Sequence, residues 1–156
     1  MKQDLLNFTV AFYSEDGKTS PVLDYLQELS KSNPKLTAKA LSSIIDLPLK
    51  FYNFDDIKVI KSGKSNYYEL RVKAGSDICR FFFVVKDPNY IVLYGFTKKT
   101  QKTDSKDLKL GERNLQDFLL NQSSITIDLT PWQRKQAILA THSNQINNTS
   151  KTNFKP

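Results

Sequence analysis

Three strand-like runs joined by very short connections leave this chain little freedom in the sheet it builds: SNYYELRV (Ser65–Val72), ICRFFFVV (Ile78–Val85) and YIVLYGFT (Tyr90–Thr97). The stretches between them, AGSD and KDPN, have turn compositions and suit an antiparallel meander. Upstream, NFTVAFY (Asn7–Tyr13) is β-branched and aromatic and runs into EDGK, which reads as a first strand and its turn. Ser20-Pro21 then supplies an N-cap with proline at the first helical position, and Val22, Leu26 and Leu29 recur at helical spacing. Asn33-Pro34 repeats the signal for a second helix carrying Leu36, Ala40, Ile44 and Leu47, with Pro48 as its stop. Strand, two helices, then strands is the order of an α+β domain, with an N-terminal strand and two helices packed on an antiparallel sheet.

Behind the meander, Asp104–Leu120 reads as a C-terminal helix that uses Leu108, Leu115 and Leu119, with Gly111 as a weak point. Residues 1–120 are therefore expected to form the folded body. Residues 121–140 read as a short extension in which NQSSITIDL adds a short strand and TPWQRKQAILA opens a helix of capping-box type. From Thr141 the chain is polar and nearly featureless, the composition of a disordered tail over 141–156. The single histidine, His142, lies there, so no histidine acid, base or metal ligand is expected in the body.

With 39% hydrophobic and 25% charged residues in a chain of 156, the composition is that of an ordinary globular domain with a real core. The longest apolar run, CRFFFVV, contains Arg80 and is far too short to span a bilayer. Met1–Val10 has Asp4 near its start and no long apolar core, so no secretory signal is read there and the cytoplasm is the expected address. One cysteine, Cys79, allows no disulfide framework and no cysteine metal cluster within the chain.

The net charge of +7 becomes informative once it is divided: residues 57–113 hold 13 Lys and Arg against 6 Asp and Glu, while the remainder is balanced at 10 against 10. That segment either presents a lysine-rich solvated surface or meets an anionic partner. Period-two alternation puts Tyr68, Leu70 and Val72 on one face of their strand and Glu69 and Arg71 on the other, while Arg80 shares a face with Ile78, Phe82 and Val84. An arginine in mid-strand is paired or points to solvent, because burying it alone is prohibitive. Two readings follow: Glu69 partners one arginine, or Arg71, Arg80 and the lysines ending the next strand converge on an open face and cradle phosphate.

The pieces SPVLDYLQEL (Ser20–Leu29), YYELRV (Tyr67–Val72), CRFFFV (Cys79–Val84) and YGFTKKTQKT (Tyr94–Thr103), in this succession, resemble phage-type HigB toxins of the RelE/ParE superfamily. The resemblance covers roughly residues 7–119. It implies a RelE-like fold and the toxin of a type II toxin-antitoxin system, neutralised by a helix-turn-helix, HigA-like antitoxin. Many such relatives cleave mRNA on the ribosome without metal or cofactor, whereas the ParE branch inhibits DNA gyrase. Carried over by residue, the resemblance makes Arg71, Arg80, Lys98 and Lys99 the catalytic cations. Lys102 is a further cation that it implies; apart from the resemblance, Tyr68 and Tyr94 are candidates to stack on RNA bases, as single-stranded recognition commonly requires, although their in-strand phase favours core packing. Several of the superfamily's ribonucleases place a tyrosine or histidine near the C-terminus, and this chain has neither between Thr103 and Leu120.

The chemistry such a site must perform is definite. Attack of a 2′-hydroxyl on the adjacent phosphorus requires that one proton be removed, extra charge on the phosphate oxygens be stabilised, and the departing 5′-oxygen be protonated. Arginine suits the second task, since it stays charged and offers two parallel donors to phosphate oxygens. A lysine crowded by other cations can serve as base or acid. The expectation is therefore a ribosome-dependent mRNA endonuclease. A gyrase-directed binding toxin and an inactive nucleic-acid-binding relative are the alternatives.

Overall fold

A computed structural model describes residues 8–51, 55–62, 65–98 and 104–128. The expected helix over 130–140 and the polar tail lie outside the described residues. The elements in chain order are β1 (Thr9–Tyr13), α1 (Pro21–Ser32), α2 (Pro34–Ile45), α3 (Leu47–Lys50), β2 (Ile57–Ile60), β3 (Tyr67–Ala74), β4 (Asp77–Lys86), β5 (Asn89–Thr97), α4 (Ser105–Asn121) and β6 (Ser124–Thr126).

The two proline-led helix starts form for the reasons their sequences suggest. Ser20 Oγ accepts from the Val22 amide at 3.2 Å, and Asn33 Oδ1 accepts from the Leu36 amide at 3.1 Å, so each N-cap satisfies an amide with no intrahelical partner. Pro48 does not end the second helix: α2 closes at Ile45, and Pro48 sits in the first turn of the short α3, where a missing N–H costs nothing.

The expected meander is present, β3, β4 and β5 running antiparallel in succession, with Gly75 at φ +64° in the two-residue β3–β4 turn. The sheet as a whole has six strands in the order β2-β3-β4-β5-β1-β6 and is mixed, not purely antiparallel. β1 lies parallel to β5, in register from Thr9 opposite Asn89 to Phe12 opposite Val92, and β6 closes the far edge antiparallel to β1. β2, which the sequence reading omitted, forms the other edge against β3.

Neither face is left wholly open. α1 and α2 bury Val22, Leu26, Leu29, Leu36, Ala40 and Ile44 against Leu70, Val72, Phe81, Phe83, Tyr90 and Val92. α4 covers part of the opposite face with Leu115 and Phe118, over Phe82, Leu93 and Phe96. Two glycines make these approaches possible. A Cβ on Gly95 would lie 2.8 Å from the Phe81 ring and 2.9 Å from that of Tyr25, and one on Gly111 only 2.4 Å from Phe82 Cδ2. Gly111 is thus a point of close approach between α4 and the sheet. No described helix is long and apolar enough to cross a membrane.

Candidate nucleic-acid interface

The register of β3 against β4 brings the two strand arginines together. Arg71 stands directly opposite Arg80, and Glu69 opposite Phe82, so Glu69, Arg71, Arg80 and Phe82 share the α4 side of the sheet. Arg80 faces Phe96 across β5, and the Lys98 amide donates to the Ile78 carbonyl at 3.2 Å, which by alternation sets Lys98 on that same side at the strand's end.

These cations differ sharply in what they already hold. Arg80 Nη1 donates to Glu69 Oε1 at 2.8 Å, and both side chains are almost wholly buried, at 5% and 3% exposure. Two charges taken out of water at this depth are compatible with folding only as a pair, which is the structural role the sequence offered for Glu69. Arg71 is only half buried, and its Nε makes no hydrogen bond among the described residues. It lines an open pocket of about 200 Å³ together with Asp55, Asp56, Lys58, Glu69 and Arg80. Of the two guanidinium groups, that of Arg71 is the more accessible to a ligand. Lys98 Nζ is buried and lies 2.7 Å from Asp104 Oδ1, an ion pair without hydrogen-bond alignment. Lys99 and Lys102 lie outside the described residues.

The two tyrosines part company. Tyr68 is on the α1/α2 side, stacked on Phe83 at 5.4 Å and edge-on to Phe51 at 4.9 Å, and is not brought together with the cations. Tyr94 is on the cationic side, stacked on Phe96 at 5.6 Å, and its hydroxyl donates to Asp107 Oδ1 at 3.1 Å. Burial, reinforced by the Asp107 carboxylate, pushes its phenol up to about 12, so at neutral pH it is a proton donor and not a base. Tyr67, on the same side and fully buried, is likewise pushed up to about 12, by burial and then by the charges of Glu112 and Glu69.

Sequence reasoning missed Asn114 and Asp104. Leu93 is skipped by the register where β4 and β5 bulge at Phe82/Phe83, and Asn114 Nδ2 donates to its stranded carbonyl at 2.8 Å. A lone asparagine amid the apolar positions of a helix was the available signal. Asp104 sits at the N-cap of α4, but its side chain makes no capping hydrogen bond and turns to Lys98 instead.

The family described as phage-derived protein Gp49-like (DUF891) matches residues 24–116, which is the stretch from α1 through most of α4 and includes every described cation above. The chain belongs to this family. Gp49-like proteins are associated with the toxins of toxin-antitoxin systems, an association that points to an antitoxin as partner. Neither the curated proteins nor the solved structures yield a match. In Gp49-like terms, the matched segment is also where the whole charge surplus of residues 57–113 resides.

Proposed function

We propose that this Gp49-like protein is a toxin that cleaves mRNA on the ribosome, with Arg71, Arg80, Lys98 and Lys99 as its cationic site and a helix-turn-helix antitoxin of HigA type as its neutralising partner. The observation that carries this reading is the alignment of Arg71 with Arg80 on the face where β5 ends in Lys98, together with the place of Arg71 in the wall of an open pocket. In this reading Arg71 supplies two parallel donors to the phosphate oxygens, stabilising the charge that develops as the 2′-hydroxyl attacks. Arg80 stands opposite Arg71 with its charge balanced by Glu69 and contributes a fixed guanidinium to the same face. Lys98 and Lys99 hold the phosphate at the strand end, with Lys102 along the RNA path and Tyr94 beside it as a stacking surface and protonated donor.

One observation favours a binding toxin directed at gyrase: Arg80 and Lys98 already hold carboxylates, which suits a scaffold more than a nuclease centre. Induced expression without antitoxin separates the two. New 5′ ends within translated mRNAs are expected; intact transcripts with inhibited DNA supercoiling would transfer the assignment to the gyrase reading. In a ribosome-programmed cleavage assay, Arg71→Ala and the pair Lys98→Ala with Lys99→Ala should each lose tenfold or more. A charge-assisted hydrogen bond made in the transition state contributes roughly 1.5 to 3 kcal/mol. Full cleavage by both variants, with wild-type circular dichroism, would remove the cations from the chemistry.

A further inference from the structure

Lys98 is buried for an unusual reason. Its side chain is 7% exposed, yet the carboxylate it pairs with, Asp104, is 74% exposed. The ammonium is buried, while the carboxylate that neutralises it faces water. Asp104 is held there by the ion pair and not by the helix. Its side chain takes no part in capping α4, although its backbone is extended as an N-cap requires, so no capping bond has to be broken when it leaves. Lys98, by contrast, cannot be left alone at this depth without a large desolvation cost, so whatever removes Asp104 must replace it with another anion.

We infer that Asp104 is a built-in stand-in for an RNA phosphate: a removable lid that neutralises Lys98 in the free protein and is displaced when a phosphodiester of single-stranded RNA takes its place. The inference rests on the phosphate-binding reading of Lys98 and adds its regulation. The chemistry of the exchange is like for like, one oxygen anion for another on the same ammonium, so no bond is made or broken beyond the ion pair. Asp104 thereby sets how readily the site accepts RNA, lowering affinity while keeping Lys98 in place.

The exchange has a signature that a purely structural ion pair lacks. When RNA displaces Asp104, the phosphate sheds a bound cation while the freed carboxylate gains one, so this contact adds little to the salt dependence of binding. With Asp104→Asn that uptake disappears. Asn also remains a good N-cap, so α4 keeps its start.

The test uses the full chain and a single-stranded oligonucleotide of RNA sequence with 2′-deoxy sugars, which binds but cannot be cleaved, titrated over a range of salt. Asp104→Asn should bind about tenfold more tightly at low salt, the scale of one charge-assisted contact that no longer has to be given up, and the slope of log K against log salt should steepen by about 0.7. Adding Lys98→Ala to Asp104→Asn should abolish both gains. Unchanged or weaker binding by Asp104→Asn, or no binding of the oligonucleotide by any form, overturns the inference. So does loss of the folded state in both Asp104→Asn and Asp104→Ser, which would make the pair a staple of the fold. Because the probe is uncleavable, a protein that cuts no mRNA in cells but shows these shifts would lose the nuclease reading and keep the lid; one that cuts mRNA without them would do the reverse.

Discussion

On the side that α1 and α2 cover, β3 and β4 present Leu70, Val72, Cys79, Phe81 and Phe83, all buried and all apolar. The opposite side of the same two strands presents Glu69, Arg71 and Arg80 beside Tyr67 and Phe82. Both sides exclude water over most of their area, but by different means. The first does so by packing alone and tolerates no change of volume. The second combines a helix that seals one part with an ion pair that neutralises another, and it leaves Arg71 at the boundary. A sheet that carries both solutions can devote one side to stability and release part of the other for recognition.

Substitutions on each side put this contrast to the test. The largest loss is expected from Phe83→Ala on the packed side. Phe83 is fully buried and stacked on Tyr68, and removing such a ring costs roughly 3 to 5 kcal/mol, enough to unfold a marginal domain. Denaturant titration would read it, and a loss under 1 kcal/mol would deny that this side carries the stability. Next on the charged side is Glu69→Gln, which leaves Arg80 buried beside a neutral amide; breaking such a pair costs on the order of 3 kcal/mol. The joint change Glu69→Leu with Arg80→Met should recover most of that loss while abolishing toxicity. Failure to recover would mean that the pair is a net source of stability and not merely compatible with it.

Gly111→Ala comes third. Alanine is favoured over glycine in a helix by about 1 kcal/mol, but the added Cβ would meet Phe82 Cδ2 at 2.4 Å. The clash should win, with a net destabilisation of about 1 to 2 kcal/mol in denaturant titration. A stabilised variant would show that α4 can lift from the sheet without loss. The smallest effect belongs to neither side. Asp16 accepts from the amides of Thr19 and Lys18 in the turn before α1, each at 2.8 Å, and these bonds hold its carboxyl down to about 2. A depressed acid stabilises the fold above its unfolded value near 4 and loses that contribution as pH falls toward 2. Proton-detected titration of the turn should therefore show its midpoint near pH 2, and Asp16→Asn should remove that step with little change in overall stability.

The local elements were legible because their signals are local. Proline after serine or asparagine marked α1 and α2, and apolar runs broken by turn residues marked β3 to β5. The short strand expected within NQSSITIDL is present as β6. Two things were not legible. Pairing partners at long range leave no trace in periodicity, so nothing in NFTVAFY says that it lies parallel to β5. β4 is buried on both sides from Cys79 to Val84, which erases the alternation that would have fixed its phase against β3. For the same reason the sequence gathered Arg71 and Arg80 as candidates without deciding which was committed. That difference depends on Glu69 standing beside Arg80 across two strands, and on an aspartate at position 104 that reads as an ordinary helix cap.

The parallel seat of β1 has a consequence for how the protein comes into being. Thr9 must wait for Asn89, and Tyr13 for Ser124. During synthesis from the N-terminus, the first strand emerges long before either neighbour exists, whereas β3, β4 and β5 can pair as fast as they are made. Contacts of such long sequence separation also carry the larger loop-closure cost. β6 is therefore the last strand of the sheet to exist, and the ribosome making this chain finishes residue 124 before that edge can be closed. A chain interrupted within α4 would hold all of the meander and its arginines, yet have no β6 to cover β1.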